Sequence, residues 1–134
     1  DNIDYRYQLL NASNLAGRAI NITRTSLNHS ISYPLTNLYN LPHGYACAFS
    51  IVSICREYER EIDRLPFANT IFKARDLIST IDLSELFKDY LIDLDVDLVC
   101  NNVFDNKRLP NFLFDLNHDK LNKVLKYAQI YYIE

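Results

Sequence analysis

The sequence predicts an all-α fold, a multi-helix bundle of about six or seven helices in a single domain over residues 1–134, and three observations carry the prediction. Apolar residues recur at three- and four-residue steps through most of the chain. Glycine occurs only twice and proline four times, too few for the many turns of an all-β fold. The only alternating stretch, Ile92-Asp93-Leu94-Asp95-Val96-Asp97, is rich in aspartate, which strands disfavour, and it has no evident partner strand.

The elements follow in order. Tyr5, Leu9, Ala12, Ala16, Ala19 and Ile20 line one face of a first helix. Thr25 or Ser26 caps a second, running to about Leu38 with Pro34 inside it. Pro42-His43-Gly44 breaks the chain, and a third helix is expected from about Gly44 to Glu61. Its front half, Tyr45 to Cys55, is apolar nearly all round and should be buried, whereas Arg56 to Glu61 should reach solvent. Phe67 to Ser79 reads as a fourth helix. Asp82 and Glu85 have capping-box spacing ahead of an apolar face made by Leu86, Phe87, Tyr90 and Leu91. A short helix is preferred around Ile92 to Val99, and a loop from Asn101 to Phe114. Asn117 caps the last helix, Leu116 and Leu121 form a staple across that cap, and Leu121, Val124, Leu125 and Ala128 face inward.

Composition excludes several functions. Fourteen basic residues against seventeen acidic ones give a net charge of −3, so no nucleic-acid partner is expected. Two glycines cannot build a P-loop or a dinucleotide-binding turn. Cys47, Cys55 and Cys100 are odd in number and lack CxxC spacing, which suits reduced thiols in a cytoplasmic protein. The most apolar stretch is about half the length of a membrane span, and no signal peptide is visible. With no methionine and Asp1 first, the chain reads as a processed product or a piece of something longer.

Chemistry concentrates at two histidines. His29 and His43 stand fourteen residues apart, and a hairpin turning at Asn40-Leu41-Pro42 would bring both imidazoles to one end of the bundle. Neutral imidazole binds zinc and iron well, so a shared metal is one reading. The other is one histidine satisfied in the core and one at a helix start bonding to backbone. Spacing alone leaves both open.

The surrounding residues resemble the iron-containing alcohol dehydrogenase family: Ala16-Gly17-Arg18-Ala19-Ile20, then His29, then Pro42-His43-Gly44 with Ala46 and Ala48. The run His29-Ser30-Ile31-Ser32-Tyr33-Pro34-Leu35-Thr36, with Tyr39 and the Pro-His-Gly turn, is most similar to the family's phosphonoacetaldehyde-reductase-like branch. Tyr33 stands where many members carry a second histidine, and Tyr45 where that branch often has one. The likeness spans essentially the whole chain but only the C-terminal, helical domain of a dehydroquinate-synthase-like fold.

That resemblance implies a role for each residue. His29 and His43 would be two of four protein ligands to a catalytic divalent ion, Fe²⁺ or Zn²⁺, the other two being an Asp and a His upstream. A separate N-terminal domain would bind NAD(P)H, and the ion would polarise an aldehyde carbonyl while hydride passes from the nicotinamide. The substrate would be a small aldehyde or alcohol, with phosphonate an option; Arg24 and Tyr33 are candidates to meet it. A homo-oligomer is compatible, and no membrane is. Alone, the chain is expected to show no turnover. Cys47 reads as buried filler, His118 as surface, and the Asp93-Asp95-Asp97 run lacks the glycine and loop of a calcium site. The competing hypothesis is a free-standing helical binding or assembly module without catalysis.

Overall fold

In the computed structural model, residues 2–104 and 109–133 are described, and all of their regular structure is helical. The helices are α1 (Ile3–Thr23), α2 (Leu27–Tyr39), α3 (His43–Phe49), α4 (Ile51–Glu57), α5 (Glu59–Asp63), α6 (Ala68–Ser79), α7 (Ser84–Leu91), α8 (Val96–Phe104) and α9 (His118–Tyr132), with a 3₁₀ turn at Leu109–Asn111. α3, α4 and α5 are one helical path interrupted at Ser50 and Tyr58, so the expected count of helices holds among the described residues.

α2 is the centre of the molecule. Leu27, Ile31 and Leu35 repeat at four-residue spacing and are completely buried, packing chiefly on α3 and α8. Pro34 removes the N–H that would bond the Ser30 carbonyl, yet α2 continues to Tyr39 because its apolar stripe is anchored in the core. The helix ends at Asn40, whose left-handed φ of 56° lets the Leu41 N–H reach back to the Leu35 carbonyl at 3.4 Å. Leu41 and Leu35 are both fully buried, the apolar contact that accompanies this type of helix end. The chain thereby reverses within three residues, and α3 is laid along α2.

The remaining helices close the core around that pair. α4 contacts α6 and α9, and α8 contacts α9. Phe49, Phe87 and Tyr132 form an aromatic cluster joining α3, α7 and α9, with centroid separations of 4.7 to 5.9 Å. Asn117 caps α9 by accepting from the Lys120 N–H at 2.9 Å, and the four inward residues expected on that helix are buried. Tyr58 lies within the charged stretch but is fully buried, stacking on Phe114 and donating to the Asp115 carbonyl at 3.1 Å. Burial, with Glu57, Asp115 and Glu61 nearby, pushes its phenol up to about 12.

Four expectations are corrected. The third helix is not continuous: it is interrupted at Ser50, which is buried with Ser53, and the Ser53 hydroxyl shares the Ser50 carbonyl at 3.0 Å with the Ile54 N–H at 2.9 Å. The alternating aspartates do not start a helix at Ile92; α8 begins at Val96, with Asp95 accepting from the Leu98 N–H at 2.9 Å. The loop expected from Asn101 begins later, since α8 runs on to Phe104, and part of it, residues 105–108, lies outside the described residues. The expected capping box is also not formed: the N-cap of α7 is Leu83, without a side-chain cap, and Asp82, one residue earlier, accepts from the Ser84 N–H at 3.1 Å.

α1 stands apart. None of its residues is buried, and Tyr5, Leu9, Leu10, Leu15 and Ile22 all lie open to solvent, Ile22 to 82%. Its last residue leads into Arg24, which has a φ of 64°. No helix among the described residues is long and apolar enough to cross a membrane.

Candidate metal centre

The reversal at Asn40 decides the geometry of the site. His29 lies in the first turn of α2 and His43 opens α3. Because α3 is folded back along α2, the two imidazoles approach to 5.3 Å between ring centroids, tilted by 58°. The expected pairing of these two rings is therefore present. Two links between the helices hold it: the Asn28 side-chain amide donates to the Cys47 carbonyl at 3.4 Å, and Ser50 meets Asn28 at 3.5 Å.

Ser32, one turn beyond His29, orients the second ring. Its hydroxyl donates to the His29 carbonyl at 2.9 Å, and its oxygen faces His43 Nδ1 at 3.4 Å. The direction of the Ser32–Nδ1 contact follows the tautomer of His43. The tautomer with its proton on Nδ1 would donate to Ser32 and carry its lone pair on Nε2, the nitrogen that a metal would need. Ser32 is completely buried, so this contact is shielded from competing water.

A third donor faces Nε2. Cys47 Sγ lies 3.7 Å from it, and His29, His43 and Cys47 each offer a ligand atom within 4.8 Å of the others. His29 and Cys47 are half-buried and His43 is exposed, so the cluster has one side in protein and one open. Burial raises the Cys47 thiol above its usual range, and a hydrogen bond with Ser32 acts in the opposite direction. Sequence reading passed over Cys47 and Ser32. The signal for Cys47 was its i, i+4 relation to His43, and none marked Ser32.

The donor set fits a divalent ion. Bonds of about 2.0 to 2.3 Å place neighbouring ligand atoms roughly 3 to 4 Å apart, and the present cluster reaches that spacing with small side-chain rotations. Tyr33 adjoins the centre, its ring centroid 6.0 Å from that of His43. Arg24 sits exposed in the link between α1 and α2. His118 is exposed at the far end of the chain, stacked on Phe104 at 5.2 Å and bonded to Asn101 at 3.1 Å, outside this cluster.

Comparison with known proteins agrees with the geometry. The sequence model described as Fe-containing alcohol dehydrogenase family, C-terminal, matches residues 1–129. Phosphonoacetaldehyde reductase from Streptomyces viridochromogenes is 43% identical over 51 residues, which is 38% of this chain and 13% of that protein. The aligned segment is thus a small part of that relative's length. No solved structure matches significantly. An all-helical chain whose residues 1–129 fit that family model belongs to the iron-containing alcohol dehydrogenase family, in its C-terminal domain.

Proposed function

We propose that this chain is the metal-holding domain of an NAD(P)H-dependent aldehyde reductase, with His29 and His43 as two of the ligands. The single observation that carries the reading is the convergence of the two imidazoles to 5.3 Å on opposed helices, with the buried Ser32 hydroxyl 3.4 Å from Nδ1 of one. A bound ferrous ion would act as a Lewis acid toward the substrate oxygen. The chain's own residues do the positioning. The α2–α3 reversal sets the separation of the rings, and Ser32 lies against His43 Nδ1, leaving Nε2 to face Cys47. The exposed side of His43 leaves an approach for substrate, and Tyr33 flanks that approach.

The partial likeness to phosphonoacetaldehyde reductase supports a small aldehyde carrying an anionic group as the substrate class. Arg24 is the cation nearest in sequence to His29 and would meet that anion. In this reading the nicotinamide-binding fold and the remaining ligands come from a separate domain. The exposed apolar face of α1 is a surface suited to docking against it. The working location is the cytoplasm, consistent with three free cysteines among the described residues.

Two histidines are too few to retain a ferrous ion against dilution, since catalytic sites ordinarily use three or more protein ligands. The chain alone is expected to give no NAD(P)H oxidation with phosphonoacetaldehyde and to lose iron on gel filtration. Iron recovered near one per chain, or measurable turnover, would contradict this division of labour.

A further inference from the structure

We propose that Cys47 is a third metal ligand, and that His29, His43 and Cys47 together form a site that prefers zinc and other borderline-soft divalent ions to iron. The inference rests on the reading of the two histidines as ligands and adds to it the thiolate and the metal preference. Three observations support it. Cys47 Sγ and His43 Nε2 are 3.7 Å apart. A tetrahedral centre with Zn–S of about 2.3 Å and Zn–N of about 2.0 to 2.1 Å sets its sulfur and nitrogen roughly 3.6 Å apart, so this edge is already at coordination distance. His29 completes a triangle within 4.8 Å, and the exposed His43 leaves one side of the cluster open to the ligands a separate domain would bring, or to water in the chain alone.

The helix makes the pair rigid. His43 and Cys47 are separated by one turn on α3, and the Cys47 carbonyl is tied to Asn28 on α2, one residue before His29. All three donors are thus fixed to the same two elements. Binding breaks the S–H bond, releases that proton to solvent and forms a metal–sulfur bond, with no change of oxidation state. Thiolate is a soft donor and favours zinc and cobalt over ferrous ion, whose place in the affinity order is already lower. The other two cysteines are buried in the core, with the Cys100 thiol pushed up to about 11 by burial and by Asp97, and they lie outside this cluster.

The test is titration of the chain with Co²⁺, followed by its optical spectrum. The expected result is one ion per chain with intense visible d–d bands and a thiolate-to-cobalt charge-transfer band in the near ultraviolet. Cys47→Ser should abolish the charge-transfer band and keep the visible bands, whereas Cys100→Ala should keep both. Zinc affinity in Cys47→Ser should fall by at least the roughly 10–100-fold that loss of a mere outer-shell partner costs. A second measurement needs no variant: saturating zinc should slow alkylation of Cys47 in the unaltered chain, read by mass spectrometry.

Cobalt bound in the unaltered chain, sensitive to His43→Ala but without the charge-transfer band, would overturn the thiolate and leave the histidine pair standing. So would alkylation of Cys47 at an unchanged rate in zinc. Cobalt binding that ignores His43→Ala would overturn both.

Discussion

A few atoms at the start of α2 and α3 bring the two histidines together. The Ser32 hydroxyl donates to the His29 carbonyl and its oxygen lies 3.4 Å from His43 Nδ1, so one buried side chain links the two residues. Sequence reading found both histidines because imidazole is chemically conspicuous and the surrounding motif is distinctive. It passed over Ser32, because a serine inside a helix carries no signature until the opposing ring is placed against it. Cys47 was visible at i, i+4 from His43 but read as filler, since the family that the chain resembles places a non-ligand there. Removing the Ser32 contact should weaken the site without unfolding it. Ser32→Ala is expected to lower zinc affinity about 10- to 100-fold, as loss of an outer-shell partner does, while helicity by circular dichroism is retained. Unchanged affinity would show that His43 needs no such guide.

At the scale of elements, the site depends on how abruptly α2 gives way to α3. Asn40 takes the left-handed conformation that asparagine tolerates better than other side chains, and Leu41 seals the turn by burial. Asn40→Val should cost about 1–2 kcal/mol in urea unfolding, because a β-branched side chain is strained at that φ. Asn40→Gly should be close to neutral, and equal losses in both variants would point to the asparagine side chain instead of the backbone. Much of this level was legible: α2, α6, the Asn117 cap and the inward face of α9 follow from periodicity and capping chemistry. The breaks at Ser50 and Tyr58 were not, because local propensity continues through them and both residues are buried in tertiary contacts that sequence does not specify. α8 was cut short for the opposite reason. Asn101 and Asn102 look like loop formers, yet Val99, Cys100 and Val103 are in the core and carry the helix past them.

The whole molecule combines a closed core with an open flank. The Phe49, Phe87 and Tyr132 cluster and the Tyr58 stack give α2 through α9 an interior that needs no further partner. α1 has no such interior: it runs for 21 residues without one that is buried. Its periodicity was plain in the sequence, but periodicity specifies a face and says nothing of what covers it. The all-α class and the family were therefore readable from the chain, whereas the surroundings of α1 were not.

The account stands on His29 and His43 binding one ion together. Calorimetric titration of the chain with Zn²⁺, set beside His29→Ala and His43→Ala, measures this directly. One ion per chain is expected, with affinity reduced by more than about tenfold in each single variant, because each removes a direct ligand. Zinc bound equally well by both variants would place the ion elsewhere and contradict the assignment.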